Sequence, residues 1–216
     1  MAYKEVTFII TSVIDFSGNK LSYSSSRSSF NPEERMKQSI ETIRSIRNKM
    51  PDAKIFFLEM GRKPDASGEL SGIVDRYIYI GNRSLVRWAC DGLHKGMGEA
   101  VGLLIAKKQL HSDADFYFKI SGRYFLTDDF NPGEWAGNGF FFRRYGDNCV
   151  STRLYGFEAG FFGHWQKAIF RSLYQLYKGR SLENVLPMFI RPGLVTSIER
   201  LGVAGFVAPD AIYMAE

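Results

Sequence analysis

The sequence predicts an α/β protein: a mixed, mostly parallel central sheet flanked by helices, with a smaller antiparallel region after it. Three observations predict it. Apolar runs rich in β-branched and aromatic residues recur four times before residue 121, nearly continuous in hydrophobicity, as strands buried on both faces are. Segments of helical periodicity lie between them, and such alternation makes a parallel sheet with right-handed crossovers. After that the order changes to shorter apolar runs, for which antiparallel pairing is expected.

The first strand is read at 6–14, followed by a polar loop over 17–29 dense in Ser, Gly and Asn. Asn31-Pro32-Glu33-Glu34 is a helix start: Asn31 caps, Pro32 suits the first helical position, and two carboxylates sit where the helix dipole favours them. Met36, Ile40 and Ile43 continue the helix at its own spacing, and Pro51-Asp52 ends it. Strands follow at 53–58 and 76–80, a short helix at 84–93, a longer one opening at Lys95, and a fourth strand at 115–120. In the second half, strands are expected at 139–144, 151–154 and 159–162, helices at 165–177 and 182–190 (the latter broken by Pro187), and a tail strand at 204–213 interrupted at Pro209. No internal repeat or low-complexity linker divides the 216 residues, so a single domain is expected over 1–216, its halves meeting near residue 130.

The net charge of +5 favours anionic partners: nucleic acid, phosphorylated metabolites or an anionic membrane surface. The basic residues are dispersed, with no run of five, which argues against a nucleic-acid arm. Two cysteines, Cys90 and Cys149, make neither a disulfide framework nor a metal-ligand spacing. The first apolar run is too short for a signal peptide or a membrane span, so a soluble cytoplasmic protein is expected.

In parallel sheets ligands bind beyond the carboxyl ends of the strands. The residues there are Thr11 and Ser12, then Glu59, then Ser121, Gly122 and Arg123. Glu59 can accept hydrogen bonds from a base or ribose or simply be a solvated carboxylate; Arg123 can pair with a diphosphate or form a structural salt bridge. Arg27, in the loop over the cleft, can contact phosphate or decorate a surface. Lys95-Gly96-Met97-Gly98-Glu99 resembles a phosphate cradle at a helix N-terminus, without the Walker spacing. The three histidines share no motif, and no G-x-S-x-G nucleophile elbow exists.

The order of these elements is similar to the GT-A (Rossmann-like) glycosyltransferase plan. The segments YSSSRSSFNPEERMKQSIETIRSIRNKMPDAKIFFLE, KGMGEAVGLLIA and FYFKISGRYFL resemble a narrower group, the compact glycosyltransferase domains of large chlorella viruses and some bacteria. The resemblance implies a hexosyltransferase-type enzyme taking a nucleoside-diphosphate sugar, a UDP-sugar first, to a glycan or other hydroxyl acceptor. Residues 1–130 would bind the donor and 131–216 would face the acceptor. Thr11, Ser12 and Glu59 would flank the nucleoside, with Lys95, Gly96 and Glu99 near ribose and phosphates. Ser121-Gly122-Arg123 falls where many GT-A enzymes carry an Asp-x-Asp motif for Mn²⁺ or Mg²⁺. That departure puts a divalent metal in doubt; Arg123 and Lys119 would neutralise the diphosphate in its place. Asp128, Asp129 and Asp210 are the remaining metal candidates. Glu183 is expected as the general base for the acceptor hydroxyl, with Glu158 its rival.

Two other classes stand beside this reading. A nucleotidyltransferase would carry a Gly-rich basic loop after the first strand, where this chain has Ser and Tyr. A catalytically silent nucleotide- or RNA-binding module would concentrate basic and aromatic residues on one surface.

Overall fold

The computed structural model describes residues 4–146, 148–207 and 210–216, with the backbone alone at Lys95. Pro209, where the tail strand is expected to break, lies outside the described residues, as does the Lys95 side chain.

Four strands, β1 (Val6–Ser12), β2 (Lys54–Glu59), β3 (Arg76–Tyr79) and β4 (Phe116–Ser121), run parallel in the order β3-β2-β1-β4. The sheet continues as β4-β7-β6-β8. Of these, β7 (Leu154–Glu158) alone runs against the other six, pairing antiparallel with both β4 and β6 (Phe140–Phe142). The edge strand β8 (Val195–Ser197) pairs parallel with β6. A second, antiparallel sheet orders β10 (Tyr213–Ala215), β9 (Val203–Phe206) and β5 (Tyr124–Leu126). The mostly parallel α/β architecture with a small antiparallel sheet is the one the sequence predicts.

Every residue of β1 is buried, which explains its unbroken apolar run: alternate side chains enter two cores. On one face Phe8 and Ile10 join Ile40, Ile43 and Ile46 of α1 (Pro32–Lys49). On the other, Ile9 joins a core formed with α2 (Ser84–Asp91), α3 (Lys95–Ile105) and α5 (Phe162–Tyr177). Short helices α4 (Lys107–Leu110) and α6 (Leu182–Val185) complete that layer. The α1 start is a full capping box: Glu34 N–H donates to Asn31 Oδ1 at 2.9 Å, and Asn31 N–H to Glu34 Oε2 at 2.8 Å.

Several expected elements are corrected. One strand, β7, replaces those expected at 151–154 and 159–162, and 159–161 is a 3₁₀ turn feeding α5, which starts at Phe162 rather than Trp165. The apolar pattern of β7 is interrupted by Gly156, where a Cβ would press on the Phe116 ring at 2.5 Å and on Trp135 at 3.1 Å. Rings from elsewhere in the chain supply the bulk that the local sequence lacks. The tail is a hairpin of β9 and β10, not one interrupted strand, and β5 and β8 were not expected at all. Three-residue strands bury too few side chains to leave a periodic trace.

β1 stops at Ser12, two residues early, because a buried carboxylate takes the next free amide. Glu59, at the end of β2 and 1% exposed, accepts from Ile14 N–H at 2.9 Å and from Gly61 N–H at 2.5 Å through Oε1. Burial raises its pKa to about 7, against the lowering effect of those two amides.

Asn31→Ala removes the cap and is expected to cost about 1 kcal/mol, lowering Tm by roughly 2–4 °C, with the exposed Glu41→Ala as control. For Glu59, whose folded pKa lies above its ordinary value, the stabilising contribution is present below 4.5 and lost as pH rises through about 7. Glu59→Gln keeps the carbonyl acceptor without the charge. Thermal melts across that window are expected to show the variant gaining on wild type toward high pH, by on the order of 3 kcal/mol; parallel curves would contradict the assignment.

Candidate functional site

A cleft opens at the carboxyl ends of β1 and β4, in two joined lobes. The inner lobe, about 80 Å³, is lined by Thr11, Ser12, Arg27, Arg35 and Phe16 among others. The outer lobe, about 390 Å³, is lined by Gly96, Tyr124, Arg153, Arg180, Glu183 and Asp210 among others. Glu99, Ser121 and Arg123 line both, so the lobes are continuous. The cleft therefore gathers most of the residues expected from the sequence.

The turn after β4 holds Arg123 in place. Gly122 N–H donates to Thr11 O at 3.0 Å, Arg123 N–H to Ser121 O at 2.7 Å, and Ser39 Oγ to Gly122 O at 3.2 Å. The guanidinium lies 5.4 Å from the Tyr124 ring centroid and donates to Phe206 O at 3.4 Å. Among the described residues it makes no ion pair, so its charge faces the cleft uncompensated. Arg27 and Arg35 add two more cations to the inner lobe, both mostly buried.

Arg27 is committed to the fold. Its guanidinium donates to Cys90 O at 2.7 Å, Asp91 O at 3.1 Å, Asn19 O at 3.3 Å and Gly92 O, clasping the loop after β1 to the C-terminal end of α2. Lys119 lines neither lobe. It is fully buried within β4, ion-paired with Glu99 and donating to Thr152 O at 3.0 Å. Glu99 faces the cleft and also takes the Thr11 hydroxyl at 3.5 Å. Thr152 passes the connection on: its hydroxyl donates to Glu183 Oε1 at 2.8 Å, orienting that carboxylate at the outer lobe. One polar chain thus runs from Thr11 through Glu99, Lys119 and Thr152 to Glu183.

Other expected residues stand apart. Glu59 borders a separate cavity of about 480 Å³ beside α1, with Ile14, Met36 and Tyr77. Glu158 pairs in register with Phe116, at the amino end of β4, so a strand length of roughly 16 Å separates it from the cleft. Gly96 lines the outer lobe in the first turn of α3, while Gly98 lets α3 approach α2, a Cβ there lying 2.9 Å from Cys90 Sγ. Asp128 pairs with Lys49 at 2.5 Å and Asp129 with Arg200 at 3.9 Å, both on the surface. Where an Asp-x-Asp pair would stand, a hydroxyl, a glycine and a guanidinium offer no carboxylate, and among the described residues no three His, Cys, Asp or Glu gather into a metal-holding group. The donor set at that position does not fit a divalent cation.

Sequence reasoning passed over Arg35, Arg153 and Arg180. For Arg35 a signal existed: Arg35, Ser39 and Thr42 put a buried polar stripe along the inward side of α1. Arg153 carried none, since two of its partners, Tyr124 and Glu216, come from distant segments. Its guanidinium donates to Tyr124 Oη at 3.2 Å and Tyr145 Oη at 2.9 Å and pairs with Glu216, which also accepts from Ser151 Oγ at 3.1 Å.

No family model matches the sequence, and no curated protein does. Among solved structures, the galactosyltransferase LgtC, crystallised with donor and acceptor sugar analogues, is 11% identical, with 90% of this chain and 73% of that one covered at a TM-score of 0.52. Mouse xyloside xylosyltransferase 1, in apo form, is 8% identical over 90% of this chain and 85% of its own, at 0.45. The Streptococcus pneumoniae CTP:phosphocholine cytidylyltransferase LicC is 13% identical over 93% of each chain, at 0.43. What the first of these establishes is the fold: the chain is built on the GT-A-like α/β plan that LgtC also uses.

Proposed function

We propose that the protein is a glycosyltransferase that moves a sugar from a nucleoside diphosphate, UDP first among candidates, to a hydroxyl of a glycan or related acceptor. The observation that carries this reading is Arg123, a cation without an ion pair among the described residues, at the junction of the two lobes. The narrower likeness to chlorella-virus domains supports it through the three segments quoted above.

In this reading the nucleoside extends from the inner lobe into the outer one and Arg123, which lines both, meets the diphosphate, its planar fork matching phosphate oxygens. As the bond from the sugar carbon to the diphosphate oxygen breaks, negative charge grows on the leaving group and the guanidinium stabilises it, without a metal. The acceptor oxygen bonds to the sugar carbon and gives its proton to Glu183, which the Thr152 hydroxyl holds ready. The Glu99–Lys119 pair keeps the wall between these two services rigid.

Calorimetric titration with nucleoside diphosphates and their sugars, with Mn²⁺ and with chelator, tests the donor site. One sugar nucleotide is expected to bind in both conditions, and Arg123→Ala to weaken it by about tenfold to a hundredfold. A strict Mn²⁺ requirement would reject the cation-replacement step, and no nucleotide binding at all would reject the donor site. For the base, Glu183→Gln is expected to lower kcat by about 10²–10⁴-fold with donor affinity unchanged; full turnover would remove Glu183 from the mechanism.

A further inference from the structure

We propose that the solvent face of α5 docks on an anionic lipid bilayer. A solvated helix face ordinarily carries polar residues of both charge signs. This one carries Phe170, Tyr174 and Tyr177, exposed by 66%, 64% and 62%, beside Lys167, Arg171 and Lys178, which are also exposed. At 3.6 residues per turn the six lie within an arc of about 120°, the rings on one side and the cations on the other. The opposite face is fully used, with Trp165, Ala168, Ile169, Ser172 and Leu176 in the core. No acidic residue occurs from Phe162 through Arg180.

That pattern suits a lipid interface. Phe and Tyr rings enter the headgroup boundary with their apolar edges, while Lys and Arg meet anionic headgroups beside them. Lys178 Nζ already sits 5.5 Å from the Tyr174 ring centroid, so cation and ring are presented together. Lys107 and Lys108, next to Phe162 and Gln166, add two cations beyond the ring side of the face. A second copy of the chain is a poorer occupant: a two-fold contact through this face would gather the three cations of each copy into one interface with no acid from Phe162 through Arg180 to offset them. Single-stranded RNA is also poorer, since its readers line a groove, whereas this face is a convex ridge. Among the described residues no helix is long and apolar enough to cross a membrane, and the docking proposed is that of a helix face lying on the bilayer surface.

The position of the face gives it consequence. α5 ends at Tyr177, and the chain then forms the outer-lobe wall from Gly179 to Glu183. Docking along α5 sets the mouth of that lobe beside the bilayer. The docking itself does not rest on the glycosyltransferase reading, and its test uses no sugar nucleotide.

Co-sedimentation of the full chain with phosphatidylcholine vesicles, with and without phosphatidylserine, tests the proposal. Binding is expected only to the phosphatidylserine vesicles, weakening as salt rises. The triple variant Phe170→Ser, Tyr174→Ser, Tyr177→Ser is expected to lower partitioning by roughly tenfold or more, and Lys167→Gln, Arg171→Gln, Lys178→Gln to remove the preference for phosphatidylserine. Both variants alter exposed side chains, so an unchanged Tm verifies their folding. The proposal is overturned if the wild-type chain ignores phosphatidylserine vesicles or if neither variant changes its binding. It is equally overturned if the ring variant dissolves a dimer, or abolishes single-stranded RNA binding, in a chain that binds no vesicle.

Discussion

Lys119 is a cation with no exposed surface in the middle of a seven-stranded sheet, and the arrangement of the cleft follows from the need to compensate it. An unpaired ammonium there would cost several kcal/mol, and breaking such a pair typically costs about 3–5 kcal/mol. Glu99 must therefore reach it from the first turns of α3, which brings that helix's start against the ends of β1 and β4. The Thr152 carbonyl must approach from the segment before β7. Three parts of the chain, far apart in sequence, meet because one charge needs partners, and the walls of the cleft are those parts.

The compensation also divides the labour of the cleft. Glu99 is occupied with Lys119, so it does not cancel the nearby guanidinium of Arg123. Arg27 spends its donors on four backbone carbonyls and serves as a clasp. Arg153 is held by two tyrosines and Glu216. Arg123 lines both lobes beside hydroxyls, Arg35 and Arg180 each line one of them, and the outer lobe also holds a carboxylate oriented by Thr152. A cation and a carboxylate in one cleft are the two kinds of group that the proposed transfer calls on.

The helical layers have unequal surroundings. α1 packs between the main sheet and β5, tied there by Ser39 and by Ser45, whose hydroxyl accepts Leu126 N–H at 2.9 Å. α5 packs on one side only, against α3 and the segment after α6, and its other side meets solvent with rings and cations. The same helix that closes the second core thus also presents exposed rings on its other side.

By itself, the sequence determined the α/β class, the parallel half of the sheet and the place of the cleft. Buried strands of β1, β2 and β4 write long apolar runs, and the carboxyl-end rule then points to Thr11, Ser12 and Ser121–Arg123. The cap at Asn31 was legible for the same reason: its partners lie three residues away. Tertiary structure alone decided that Glu158 sits at the far edge, because the reversal of β7 is a property of the sheet and not of the strand. It also decided that Lys119 is a buried partner of Glu99 rather than a cleft residue, that Glu59 turns to the amides of Ile14 and Gly61, and that Arg153 joins the cleft. Each of these depends on at least one contact across twenty or more residues, for which a linear pattern carries no period and no spacing.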